Sequence, residues 1–102
     1  MTKAVREGVS KPPLDFKKLE TLREYAKLTK KEFASLCGVS RMTYYGWLRG
    51  QPIRPKNEEF VRRAGRHLLE LVRQGHWPID GVEFVSSEER LERLHKLMAD
   101  EI

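Results

Sequence analysis

Arg41, Met42, Thr43 and Tyr45 stand directly after Ser40, a residue type that opens helices. Gathered on the first turns of one helix, they would present hydrogen-bond donors, hydroxyls and an apolar tip together. The Arg41 guanidinium carries parallel N–H donors that match guanine O6 and N7, a contact that discriminates bases by about 1–3 kcal/mol. Met42 could touch a thymine methyl, and the hydroxyls of Thr43 and Tyr45 could reach a base edge or a phosphate. Lys30, Lys31, Ser40, Arg49, Arg54 and Lys56 flank this group. Cations and hydroxyls so placed suit phosphate oxygens, which fix register without reading sequence. If one helix does gather them, these types would suit double-stranded DNA as the partner. Lys30 and Lys31 also sit poorly at the positive end of a helix, a conflict that an external anion would relieve.

Other chemistry finds no comparable grouping. His67, His76 and His95 are scattered and Cys37 is the only cysteine, so neither a metal-ligand spacing nor an intrachain disulfide is available. No phosphate-cradling glycine loop, Ser–His–Asp set or paired-acid site can be assembled. No catalytic residue, metal, cofactor or small-molecule substrate is therefore expected, and the chain is not read as an enzyme. Cys37 reads as a buried apolar residue, since nothing nearby would activate its thiol.

The elements that must position the Arg41 group follow from periodicity and capping signals. A first helix is predicted from Asp15, a plausible N-cap, to Lys27, with Phe16, Leu19, Leu22, Tyr25 and Ala26 at helical spacing. Thr29-Lys30-Lys31-Glu32 forms a capping box, and Leu28 and Phe33 are spaced as a hydrophobic staple. The second helix so opened ends at Cys37, before Gly38. Ser40 caps a third helix that runs to about Leu48 and stops at Gly50. Pro52 and Pro55 predict an extended loop, and a fourth helix is expected from near Asn57 to Gln74, with Gly75 as its stop. Beyond it Trp77, Ile79, Val82 and Phe84 alternate around Asp80-Gly81, which would allow a tiny β-hairpin near 77–85, limited by Pro78 to an edge or irregular structure. A last helix begins with a second capping box, Ser86 to Glu89, and carries Leu91, Leu94, Leu97, Met98 and Ile102.

Two short helices joined by a Gly-containing turn define a helix-turn-helix, here at about residues 29 to 49. The structural slots are filled by a small residue where the helices cross (Ala34), the turn glycine (Gly38), an apolar plug (Val39), and Phe33, Cys37, Tyr44 and Trp47 facing the core. Residues 30 to 50 resemble the lambda-repressor-like, Cro/C1-type family of regulators, on Ala34, Gly38-Val39-Ser40, Trp47, Gly50 and Pro55. The resemblance covers about residues 15 to 75. It implies an all-α, lambda-repressor-like bundle of about five helices in which the third reads the major groove. Two features depart from the pattern. Gly46 lies inside the recognition helix, where glycine costs roughly 1 kcal/mol relative to alanine, and its missing side chain would let the backbone approach DNA. The gap from Gly50 to Pro55 is about one residue longer than usual.

The 102 residues suffice for one compact domain. The net charge of +5 divides into +9 over residues 1–75 and −4 over residues 76–102, a basic surface for a polyanion and an end with another task. Three parts are expected: a flexible basic arm at 1–13 bearing Lys3, Arg6 and Lys11, a DNA-binding domain at 14–75, and an acidic C-terminal segment at 76–102. No apolar run approaches bilayer length and the N-terminus lacks a secretory signal, so no membrane partner is expected and a cytoplasmic location is the natural assignment. The last helix could fold back on the fourth, or two copies could pair through it at Leu91, Leu94 and Met98 together with the Trp77 to Phe84 segment. The favoured reading is a repressor that binds a palindromic operator as a homodimer. A phage or plasmid accessory factor for excision, replication or partition, or an antitoxin-like interaction module, are the alternatives.

Overall fold

The computed structural model describes residues 14–101; the basic arm at 1–13 and Ile102 lie outside the described residues. Five α-helices follow one another, α1 (Phe16–Tyr25), α2 (Lys30–Leu36), α3 (Arg41–Leu48), α4 (Pro55–Arg73) and α5 (Ser87–Glu101), with a 3₁₀ turn at Val82–Phe84 between the last two. The chain is all-helical, and no strand occurs among the described residues.

Asp15 caps α1 by accepting from the amides of Lys17 at 3.0 Å and Lys18 at 3.3 Å. The helix ends two residues before the expected Lys27. Lys27 instead adopts φ 63°, with the Leu28 amide donating to the Arg23 carbonyl and the Lys27 amide to that of Glu24, each at 3.1 Å. This left-handed exit ordinarily selects glycine, so the sequence carried no stop signal there. Replacing Lys27 by glycine removes about 1–2 kcal/mol of left-handed strain. Greater freedom of the unfolded chain offsets part of that, leaving an expected gain of about 0.5–1 kcal/mol, measurable by urea denaturation.

The α2 capping box forms in both directions, with the Glu32 amide donating to Thr29 Oγ1 at 3.1 Å and the Thr29 amide to Glu32 Oε1 at 2.8 Å. At its other end Gly38 takes φ 77°. The Val39 amide donates to the Ala34 carbonyl and the Gly38 amide to that of Ser35, each at 3.0 Å, which satisfies the helix end and turns the chain into α3. Helix α4 starts at Pro55 rather than Asn57. Proline is suited to the first helical position, where its missing N–H is no loss, so the loop expected through Pro55 is shorter.

Phe33, Ala34, Cys37, Tyr44 and Trp47 share one core with Val61, Leu68 and Leu71 of α4. Tyr44 is central, with Phe33 and Trp47 meeting it edge to face at ring separations of 5.6 and 6.2 Å, a favoured aromatic geometry. Trp77, Val82 and Leu94 complete the same core, so the acidic C-terminal segment packs against the basic one. Helix α5 lies on α4 and α2.

The tiny hairpin allowed at 77–85 does not form. Strand alternation would put Val82 and Phe84 on one face, yet Val82 is buried and Phe84 is 88% exposed. The carbonyls of Val82 and Val85, which a strand partner would have used, accept instead from the Arg90 guanidinium at 3.2 and 2.8 Å. Leu94 is also corrected as a dimer contact, because it is wholly buried within its own chain. Leu91 and Met98 are half-buried, and Met98 packs on the core edge.

Candidate nucleic-acid interface

The geometry at α3 follows from which of its side chains the core takes. Tyr44 and Trp47 point inward, while Arg41, Met42 and Thr43 on the first turn are exposed, Met42 at 70%. Tyr45 is half-buried and packs on the core edge. Arg41 and Met42 line an open cleft of about 520 Å³ with Lys31, Ser35, Gly38, Val39 and Ser40. The cleft straddles the turn between α2 and α3, so the plug residue and the exposed first turn of α3 belong to one corner.

Ser40 has a second duty. The Thr43 amide donates to Ser40 Oγ at 3.1 Å, and the Ser40 hydroxyl donates to Thr43 Oγ1 at 3.0 Å. The Ser40 proton is thereby occupied by the cap, while the Thr43 hydroxyl keeps its own proton for an external acceptor.

The flanking cations fall into separate places. Lys31 joins the cleft. Lys30 is half-buried, and its charge acts on Glu20. Arg49 is the C-cap of α3 and is exposed. Arg54 is the N-cap of α4, with Lys56 in the first turn after it, and both are exposed. No side chain caps this end of α4, so its first amides are open to an anion between two cations.

Gly46 does not face outward as its expected close approach to DNA required. It is buried, and a Cβ there would lie 2.2 Å from Gln51 Oε1. The missing side chain makes room for Gln51, whose amide also donates to the Gly46 carbonyl at 3.0 Å. The glycine therefore shapes the exit from α3.

Two polar networks behind the interface were not foreseen. In the first, the Tyr44 hydroxyl donates to Glu20 Oε2 at 2.6 Å. Arg23 grips the same carboxylate through Nε at 3.0 Å and Nη2 at 2.8 Å, and its Nη1 donates to the Leu28 carbonyl at 2.7 Å. Burial pushes the Glu20 carboxyl up, but hydrogen bonds from Arg23 and Tyr44 outweigh it and leave it below its ordinary value. Helix α3 is thus fixed to α1 by a charge-assisted bond as well as by packing. Burial, followed by the bond to Glu20, raises the Tyr44 phenol so that it stays protonated.

In the second, Glu32 is 1% exposed, and its Oε2 accepts from Ser87 Oγ and from Arg90 Nη1, each at 2.5 Å. The capping-box acid that starts α2 therefore also anchors α5. Burial would raise its carboxyl, and the bonds from Ser87, the Thr29 amide and Arg90 together bring it below its ordinary value. In sequence the capping box was legible, but its partners stand 55 and 58 residues away, beyond any local signal. Burial alone pushes the Cys37 thiol up to about 12, which makes it a poor nucleophile.

Among the described residues no group of three or more His, Cys, Asp or Glu could hold a metal ion, and no helix is long and apolar enough to cross a membrane. A family model described as a helix-turn-helix domain matches residues 17–69, or 53 of the 102 residues. No curated protein and no solved structure matches the chain. The matched span holds α1 to α3 and most of α4, and with them all the exposed residues of the α2–α3 corner.

Proposed function

The chain belongs to this helix-turn-helix domain family and is a DNA-binding regulator; we propose that it is a Cro/C1-type repressor that occupies a palindromic operator as a homodimer. In this reading Arg41, Met42, Thr43 and Tyr45 meet base edges in the major groove. Lys30, Lys31, Arg49, Arg54 and Lys56, with the backbone at Ser40, hold phosphates. The observation that carries it is the division of α3. Its first turn exposes Arg41, Met42 and Thr43, while Tyr44 and Trp47 lock the opposite side into the core. A short helix held that rigidly can dock in a groove with little further ordering.

Dimerisation supplies the specificity that one recognition helix lacks, since two copies related by a two-fold axis address half-sites about one helical turn apart. Repression by occupancy needs no bound ligand.

Selection of bound duplexes from a random pool tests the proposal. An inverted repeat is the expected outcome, and equal recovery of all duplexes would reduce the function to nonspecific binding. The same selection with Arg41→Ala should lose preference at one base pair of each half-site. Affinity for the best half-site should fall roughly 5- to 150-fold, the equivalent of about 1–3 kcal/mol. An unchanged motif would remove Arg41 as a base reader.

A further inference from the structure

We propose that the apolar groove between α1 and α4 receives the Phe84 corner of a second copy of this chain, which makes it the dimer contact. The inference deepens the homodimeric repressor reading and rests on it for its biological role. The groove measures about 480 Å³ and is walled by Leu19, Leu22, Val61 and Leu69. Its floor stays open because Gly65 has no side chain, and a Cβ there would meet Leu19 Cδ2 at 3.0 Å. Leu69 on its wall is 43% exposed. Lys18, Arg62 and Arg66 lie along the rim, with Arg62 also paired to Glu58. Asp15 is the acid of this lining, and its carboxylate is engaged in capping α1.

The complementary feature is on the acidic segment. Phe84 is 88% exposed, yet its backbone is held firmly. Val82 is buried beside it, and Arg90 donates to the carbonyls of Val82 and Val85 on either side. An aromatic ring presented from a fixed backbone loses little freedom on binding and is the kind of anchor that dominates interfaces. Asp80, Glu83 and Glu88 around it are exposed and oppose the sign of the groove rim. Charge complementarity therefore favours a second copy. Residues 1–13, whose Lys3, Arg6 and Lys11 would bring like charge to the rim, match it poorly. Two reciprocal insertions about a two-fold axis close the pair without leaving a free knob or groove. Leu94 cannot serve in their place, being consumed by its own core.

Sedimentation of the full chain, Phe84→Ser, Leu69→Glu and an equimolar mixture of the two variants tests the contact. Circular dichroism melts should confirm that both remain folded, as their exposed positions imply. The wild type should dimerise, more weakly as salt rises, and each variant alone should associate at least tenfold less well. The mixture should recover a 1:1 pair weaker than the wild-type dimer, because one knob and one groove remain intact. Phe84→Ser self-associating like the wild type would overturn the proposal. So would two folded, monomeric variants that fail to pair, or a wild type monomeric both free and on an inverted-repeat duplex. Binding of the same proteins to a single half-site is read separately. Its absence even in the wild type would remove the DNA reading while leaving the contact intact, and its persistence in Phe84→Ser is expected.

Discussion

Arg90→Ala should destabilise the fold by about 3–5 kcal/mol, because it strands the buried carboxylate of Glu32 without its cation. The same change removes the guanidinium bonds to the carbonyls of Val82 and Val85, so the turn before α5 loosens with it. Urea unfolding at neutral pH measures the loss, and a loss under 1 kcal/mol would mean the pair carries no such weight. Replacing both partners, Glu32→Leu with Arg90→Leu, should lose less than Arg90→Ala, since no unpaired charge is left in the core, while the capping-box and carbonyl bonds stay lost. The pH dependence has a definite sign. The folded Glu32 carboxyl lies below its ordinary value of 4.5, so its contribution is present above that value and fades as pH falls through the folded one. Without Arg90 the carboxylate becomes the penalty and its protonation the relief. The deficit of the variant should therefore narrow on acidification.

DNA affinity should fall on the order of 10⁵-fold between 50 and 200 mM salt if two copies bind together. In the proposed reading each copy would offer Lys30, Lys31, Arg49, Arg54 and Lys56 to phosphates, about ten contacts per dimer, and each neutralised phosphate contributes roughly −0.9 to the slope of log affinity against log salt. A slope near −9 thus speaks for the dimer. A single copy predicts about −4.5 and a loss of roughly 500-fold over the same range. Fluorescence anisotropy with a labelled inverted-repeat duplex distinguishes them. A slope near zero, together with tight binding to a protein, would favour the interaction-module alternative over a DNA regulator.

The corner from Thr29 to Leu48 was legible because every instruction in it is local. A capping box, a staple, a turn glycine and a second N-cap lie within a few residues of what they act on. The exposure of Arg41 and the burial of Tyr44 and Trp47 then follow from helical spacing. Where a signal was unusual the boundary moved. The end of α1 uses Lys27 at a backbone angle normally given to glycine, and α4 begins on a proline that also suits a loop. The alternation at 77–85 allowed a strand pair because it reports side chains alone, whereas Arg90 takes the backbone carbonyls. Nothing in the spacing of Glu20, Arg23 and Tyr44, or of Glu32 and Arg90, says which polar groups the fold will enclose. Those partnerships depend on tertiary placement.

Trp77 fills the core from beyond the family-matched span, and its indole donates to the Ala26 carbonyl at 2.8 Å. That single link makes the chain a poor candidate for modular exchange. A chimera that keeps the DNA-reading half and substitutes a foreign tail would inherit a hole the size of a tryptophan and an unserved carbonyl at the end of the first helix. New tails can be recruited to this reader only if they bring an indole, or something of its shape and donor, to the same spot.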